Sequence, residues 1–313
     1  VRRLLAFVAI TIGWVLLAVT AVGAFLHFFT SRGTYAIYAT ALVPLTIVTG
    51  VAAFVLFLVL RRWVALALTV VAITVLCFTQ GPLWVSQTAP AGDRFTVVTA
   101  NLQFGGGNVD DVAAAAADAD LVSLQEVTPE ALDRVRASAL AGRLRYEYAI
   151  PGPQAAGTVL LSSRPLTDEQ RIPNMVLNNL SARTPVPGAP STRVLAVHTP
   201  APLSGHAGDW VQDMGLLKDQ LQALPDGPVI VAGDVNATWD HVQYRDLLTD
   251  GFADTTSQAG AGWRPTFPTD RFGDRPLAAI DHVIVRGFIA TSVRTFSVSG
   301  SDHRGVVVTL VAS

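Results

Sequence analysis

"GPVIVAGDVNATWDH", residues 227–241, carries an apolar run into an acid and an amide two positions apart. Bounded by Gly227 and Pro228, the run reads as a buried strand. Alternate residues of an extended backbone face the same side, so Asp234 and Asn236 can converge on one point. The competing reading is a turn after the strand, where Gly, Asp and Asn are favoured for backbone reasons alone. The rest of the chain has to decide between them.

Other apolar runs end in the same manner. "RFTVVTANLQF" (94–104) turns polar at Asn101, "DLVSLQEV" (120–127) at Glu126 and "TRVLAVHT" (192–199) at His198. "AAIDHVIV" (278–285) carries Asp281 with His282, and "SDHRGVVVTLV" (301–311) opens with Asp302 and His303. One such ending is a turn; six indicate a site shared along one edge of packed sheets. Carboxylate and amide oxygens suit magnesium, manganese or calcium, and no His/Cys set has structural zinc spacing. Histidines beside carboxylates are the usual parts for moving protons at neutral pH.

Helical segments separate these strands. "TPEALDRVRASALA" has Thr128 as N-cap, Pro129 at the first position and Glu130 in the first turn. "HAGDWVQDMGLLKDQLQAL" places Trp210, Met214, Leu217 and Leu221 at core spacing. "WDHVQYRDLL" reads as a helix with Asp240 as its N-cap. His27, His206 and His241 read as membrane-border, loop and surface residues, and His282 as structural, since it points away from Asp281 on a strand.

The first 89 residues differ in kind. They hold no Asp or Glu, and their only charges are Arg2, Arg3, Arg32, Arg61 and Arg62, set between three apolar stretches. The expectation is a transmembrane region over 1–86, with helices over 4–29, 36–60 and 63–80, then a connector over 87–93 and a catalytic domain over 94–313. A cleavable signal peptide explains the first stretch only. Four arginines flank one side and Arg32 alone the other. The positive-inside rule therefore places the N-terminus in the cytoplasm and the domain outside, on a multi-pass cell-membrane protein. The sole cysteine, Cys77, lies in the third stretch, so no disulfide framework exists. From residue 90 onward the remaining 17 of 22 basic residues face all 24 acids, a formal charge of −7. An acidic surface repels polyanions, and no basic stripe of a non-specific nucleic-acid binder is visible.

Taken in order, "TANLQF", "SLQEV", "GTVLLSSRPL", "AVHTPAP", "GDVNA", "IDHV" and "SDHRGV" resemble the endonuclease/exonuclease/phosphatase superfamily, which includes DNase I-like nucleases, inositol polyphosphate phosphatases and neutral sphingomyelinases. The resemblance covers 94–312. It implies an α/β fold, a four-layer α-β-β-α sandwich with two mostly antiparallel sheets, and a Mg2+- or Mn2+-dependent phosphodiesterase or phosphatase. Glu126 matches the family's metal-binding glutamate, assisted by Asn101 and Asp302. Asp234 and Asn236 match the pair that orients the attacking water, contacts the scissile phosphate and in some states binds metal. His303 matches a general base or phosphate ligand oriented by Asp281, and His198 a histidine suited to protonating the leaving oxygen or stabilising the phosphorane. "RLRYEY" (143–148) is a candidate for further phosphate contacts. Gly305 stands where many relatives carry another residue, a difference expected to affect backbone freedom.

The partners implied are the lipid bilayer and a phosphoester, with an envelope lipid favoured over nucleic acid. An anchored extracytoplasmic nuclease is the alternative, and a binding module without turnover a third reading that the intact ligand set opposes.

Overall fold

The computed structural model describes residues 2–313. Its first part is helical: α1 (Arg2–Phe28), α2 (Thr34–Ala41), α3 (Thr46–Val59) and α4 (Trp63–Gln80), the last running into a 3-10 turn at Gly81–Trp84. The second apolar stretch, expected as one helix over 36–60, is two helices bent by 51° about a 3-10 turn at Val43–Leu45. Pro44 is the reason: it has no N–H to donate and disfavours helical geometry in the residue before it. α1 and α4 are each long and apolar enough to cross a membrane, and the bent pair makes a third span if counted as one. Leu17, Ala53, Phe57, Ala65 and Ala72 pack between the helices.

The remainder alternates strands and helices. In chain order it runs β1 (Phe95–Asn101), α5 (Val109–Ala115), β2 (Leu121–Gln125), α6 (Pro129–Ala137), α7 (Ala139–Arg143), β3 (Tyr146–Ile150), β4 (Thr158–Ser162), β5 (Thr167–Arg171), β6 (Leu180–Val186) and β7 (Ala189–His198). It continues with α8 (Ala207–Gln222), β8 (Val229–Asp234), α9 (Val242–Arg245), β9 (Ala253–Asp254), α10 (Thr255–Gln258), β10 (Asp281–Arg286), β11 (Phe288–Ser297) and β12 (Arg304–Ala312). One six-stranded sheet has the order β11-β12-β1-β2-β4-β3, the other β5-β6-β7-β8-β10-β9. Each holds one parallel pair, β1 with β2 and β7 with β8, among antiparallel neighbours.

Three apolar layers account for the stacking. Phe95, Val97, Leu160, Val194, Ile230 and Val283 meet between the two sheets. Val98, Val122 and Val307 bury the outer face of the first sheet under α5, α6 and α7. Val197, Val231 and Ile284 bury the outer face of the second under Trp210, Met214 and Leu217 of α8. Alternation along each strand feeds two cores at once, giving the four-layer sandwich. Ile37 of α2 joins the third core, so the helical bundle packs directly on this layer.

Local rules hold at α6, where the Thr128 side chain accepts from Ala131 N and Pro129 opens the helix. They fail at α9. Its N-cap is His241 and no side chain caps it, because the Asp240 carboxylate is engaged with the helical bundle instead.

Candidate active site

Strand register assembles the site. β7 pairs with β8 so that His198 lies beside Asp234, and β8 pairs with β10 so that Asp234 lies beside Asp281. Three chemically active residues therefore form one rung across three adjacent strands. In the facing sheet Asn101 sits beside Gln125, which puts Glu126 just past the end of β2. Asp302 and His303 directly precede β12, next to β1.

Gly233 keeps the rung tight. A Cβ there would lie 1.8 Å from the Val197 carbonyl oxygen, so any side chain would drive β8 away from β7. The glycine is required by this close approach, not by a turn. Gly305 is likewise a matter of space: a Cβ would lie 2.2 Å from the Phe296 ring, which covers that position. The expected effect on backbone freedom is not its role.

Both readings of Asp234–Asn236 hold together. β8 ends at Asp234, and Asn236 N donates to Asp234 Oδ1 at 2.8 Å while Asn236 takes a left-handed φ of 48°. The pair converges through a turn closed by the aspartate, not along an extended strand. Glu126 also has a positive φ, 58°, in a residue type that rarely adopts it. Strained backbone of this kind persists where the surroundings hold it, commonly at functional sites. Here Glu126 Oε2 accepts from Phe104 N at 2.7 Å and Oε1 from Asn101 Nδ2 at 3.0 Å.

The eight predicted residues lie together. Asn101 Nδ2 also donates to Asp234 Oδ2 at 3.1 Å, bridging the two sheets, while its Oδ1 accepts from Gln103 N. His198 Nε2 is 3.8 Å from Glu126 Oε1 and 3.7 Å from Asp234 Oδ2. His303 Nε2 is 3.7 Å from the same Asp234 oxygen and 3.9 Å from Asp302 Oδ1, and its Nδ1 is 2.8 Å from Asp281 Oδ2. Glu126, His198, Asp234, Asn236, Asp302 and His303 line a cleft of about 530 Å3, a size suited to a small ligand. Asn101 and Asp281 stand behind them. Tyr146 and Arg143 of "RLRYEY" are not in the cleft lining.

Electrostatics separates the two histidines. Burial works against the His303 charge, but Asp281 and Asp234 outweigh it and raise its pKa to about 10. His198 is pushed below its usual value by burial, against the pull of Glu126. Its Nδ1 lies 3.2 Å from the Ala155 carbonyl, so the neutral ring donates there and turns an Nε2 lone pair toward Glu126 and Asp234. Burial and the neighbouring Asp281 raise Asp234 to about 7, with His303 pulling the other way. Burial also raises Asp302.

The donor set fits a hard divalent ion. The Glu126 and Asp302 carboxylates both line the cleft, near enough for the charge of one to act on the other, with the Asn101 amide against Glu126, and oxygen donors of this kind suit Mg2+ or Mn2+. Ligand atoms of Asp234, Asp281 and His303 also lie within 4.8 Å of one another. In that second group the Asp281–His303 hydrogen bond already satisfies two members mutually.

Several supporting residues carry no local signal. Asn179 accepts from His198 N at 2.6 Å and donates to its carbonyl at 3.0 Å, holding the strand end from 19 residues away. Ser301 Oγ donates to Asn101 O and accepts from His303 N. The Phe267 ring packs 4.9 Å from that of His303. His282, as expected, turns away: its Nδ1 meets Tyr244 Oη at 2.9 Å and its Nε2 the Ala237 carbonyl at 2.9 Å.

A model described as "Endonuclease/Exonuclease/phosphatase family" matches residues 98–303. No curated protein matches the chain. Among solved structures, humanized D. rerio TDP2 superposes with a TM-score of 0.56 at 17% identity, over 69% of this chain and 98% of that one. An endonuclease/exonuclease/phosphatase from Beutenbergia cavernae gives 0.54 at 21% identity, over 70% and 72%. D. rerio TDP2 complexed with single-strand DNA product gives 0.55 at 17%, over 70% and 99%. At these identities the likeness is one of fold.

Proposed function

Because the chain belongs to the endonuclease/exonuclease/phosphatase family, whose enzymes hydrolyse phosphoester bonds with a divalent metal, we propose that this phosphoric ester hydrolase is membrane-anchored and acts on a lipid head group or other envelope phosphoester. We assign residues 1–86 to the anchor, 87–93 to the connector and 94–313 to catalysis, with the catalytic part outside the cytoplasm.

The rim of the cleft carries the reading. Phe104, Val176 and Leu203, all exposed, line it, and no lysine or arginine among the described residues does. Thr34 Oγ1, at the start of α2, donates to Leu203 O at 3.1 Å, which brings that rim to the end of the helical bundle. An apolar rim beside a bilayer suits an amphiphile whose head group reaches the rung while its tail stays in the membrane. A polynucleotide would find no cationic track for its phosphates. The TDP2 complex with single-strand DNA product is what favours the nuclease alternative.

Each side chain has a role. Asp234 and Asn236 hold the attacking water, and Asp234, raised to about 7, takes its proton near neutrality. His303, charged and oriented by Asp281, donates from Nε2 to a phosphate oxygen. His198 was expected to protonate the leaving oxygen, but a neutral Nε2 has no proton to give, so we assign it as an acceptor that orients the reacting groups. Glu126, with Asn101 and Asp302, would hold Mg2+ or Mn2+, which when bound neutralises the phosphoester and meets the charge on the leaving oxygen.

The test is a substrate panel on the full chain in detergent with Mg2+ or Mn2+: mixed phospholipid vesicles, inositol phosphates and single-stranded oligonucleotides. Head-group release from vesicles without oligonucleotide cleavage is expected. The reverse pattern would establish the nuclease. A reporter fused after Ser313 should be active only outside the cytoplasm, and cytoplasmic activity alone would overturn the orientation.

A further inference from the structure

The segment Trp239–Arg245 begins three residues after Asn236 and leaves the sandwich for the helical bundle. Its side chains meet all three apolar stretches. Trp239 Nε1 donates to Thr79 O at 2.9 Å, and Asp240 Oδ1 accepts from His27 Nδ1 at 2.7 Å and Gln80 Nε2 at 2.8 Å. His241 Nε2 donates to Ile37 O at 3.0 Å, Gln243 Nε2 to Ser31 O, and Arg245 Nη2 to His27 O. The segment is also tied to itself, since Thr238 N donates to His241 Nδ1 and Arg245 Nη1 to Trp239 O. His27 and His241, expected at a border and on the surface, are buried with Asp240 and Gln80.

A tether needs none of this, because residues 87–93 already join the two parts covalently. Burying an aspartate, two histidines and a glutamine is expensive, the more so because Asp240 Oδ2 and Gln243 Oε1 have no partner, and directional hydrogen bonds between buried groups fix one arrangement where apolar packing allows several. The segment that is fixed continues directly from the Asp234–Asn236 turn, through the buried Ala237 and Thr238. Asn236 holds a left-handed φ of 48° in that turn, so its side chain is aimed by the path of the chain on either side. Asp240, Gln80 and Asp281 also border one small cavity of about 30 Å3 between bundle and sheet, so the clamp lies against the back of the rung.

We propose that Asp240 is a positioning residue for phosphoester hydrolysis: gripped by His27 and Gln80, it anchors the Trp239–Arg245 segment so that Asn236 and Asp234 meet the attacking water at a fixed place. The membrane helices are on this account part of the catalytic machinery as well as an anchor. The inference rests on the assignment of Asp234 and Asn236 to the water and phosphate made above.

The experiment compares full-length wild type, Asp240→Ala, Asp240→Asn and Gln80→Ala in detergent, with bis-p-nitrophenyl phosphate as a soluble probe that needs no bilayer. Asp240→Ala should lower kcat about tenfold or more with KM changed less than twofold, as expected for misplacement of a reacting group. Asp240→Asn keeps an oxygen that accepts both hydrogen bonds and should return to within about twofold of wild type. Gln80→Ala, which removes one donor only, should fall between. The Trp239 share of the emission, isolated from that of the other five tryptophans as the difference from a Trp239→Phe variant in each background, should shift in Asp240→Ala, reporting release of the indole from the bundle. Wild-type kcat in Asp240→Ala, or loss confined to lipid vesicles, would overturn the positioning role. If Asp240→Ala does not fold, an Asp240→Asn kcat as low as that of an Asn236→Ala variant, or an unchanged Gln80→Ala kcat, overturns it instead. Absence of turnover in wild type would count against the proposed function, and the clamp is then read from the Trp239 difference emission alone, an unchanged signal in Asp240→Ala overturning it.

Discussion

His303 Nδ1 lies 2.8 Å from Asp281 Oδ2, while Nε2 of the same ring faces Asp234 Oδ2 at 3.7 Å. The ring is thus fixed at one nitrogen and free to act at the other. Asp281→Asn should keep the fold and lower turnover, and His303→Ala should lower it further, by roughly 10²-fold or more for loss of a positioned donor. Steady-state kinetics of the double variant should match His303→Ala closely, because residues acting as a unit are not additive. Multiplying losses would show two independent roles.

The pH profile follows from two groups. Asp234 must be ionised to take a proton, so kcat/KM should fall as pH drops below about 7. His303 must keep its proton to donate, so the rate should fall as pH rises through about 10. A bound divalent ion moves both limbs down, since it favours the carboxylate and disfavours the imidazolium. Turnover of a soluble phosphodiester across pH should give this bell, and His303→Ala should lose its alkaline limb. An unchanged alkaline limb would remove His303 from it.

Gly233→Ala should destabilise the protein by at least about 2 kcal/mol and abolish turnover, because the new Cβ meets backbone and β7 must part from β8. Thermal unfolding of the detergent-solubilised chain measures it. A melting curve like that of wild type would contradict the spacing argument.

The strand-end site was legible because periodicity places its members: Asn101, Glu126, His198, Asp234, Asp281 and His303 all fall where apolar runs meet polar residues. What sequence could not show was long-range geometry. Asn179 lies far in sequence from the strand end it pins. Asp240 has the look of an N-cap, and only the nearness of His27 and Gln80 redirects it. The two histidines read as peripheral are buried because an interface covers them, and no pattern within residues 227–245 announces an interface with residues 27–80. The bend at Pro44 was signalled locally but was outweighed by the length of the apolar run.

That interface should be acid-labile. Burial lowers the pKa of His241 from 6.5 to about 4, and the neutral ring both accepts from Thr238 N and donates to Ile37 O. Its folded pKa is depressed, so the stabilisation is complete above 6.5 and is lost as pH falls toward 4, where the unfolded chain alone has taken up the proton. The loss is on the order of 3 kcal/mol. Unfolding of wild type and His241→Gln between pH 7 and 4 should show the steeper fall in wild type. Equal slopes would contradict it.

The most direct measurement is turnover of bis-p-nitrophenyl phosphate by the full chain before and after chelation, beside Glu126→Ala. EDTA should abolish activity, and Mg2+ or Mn2+ should restore it in wild type but not in Glu126→Ala, whose unfolding midpoint should stay close to wild type because a ligand at a strand end adds little to the core. Full turnover in the presence of chelator, or a fully active Glu126→Ala, would contradict a metal-dependent phosphoesterase built on this site.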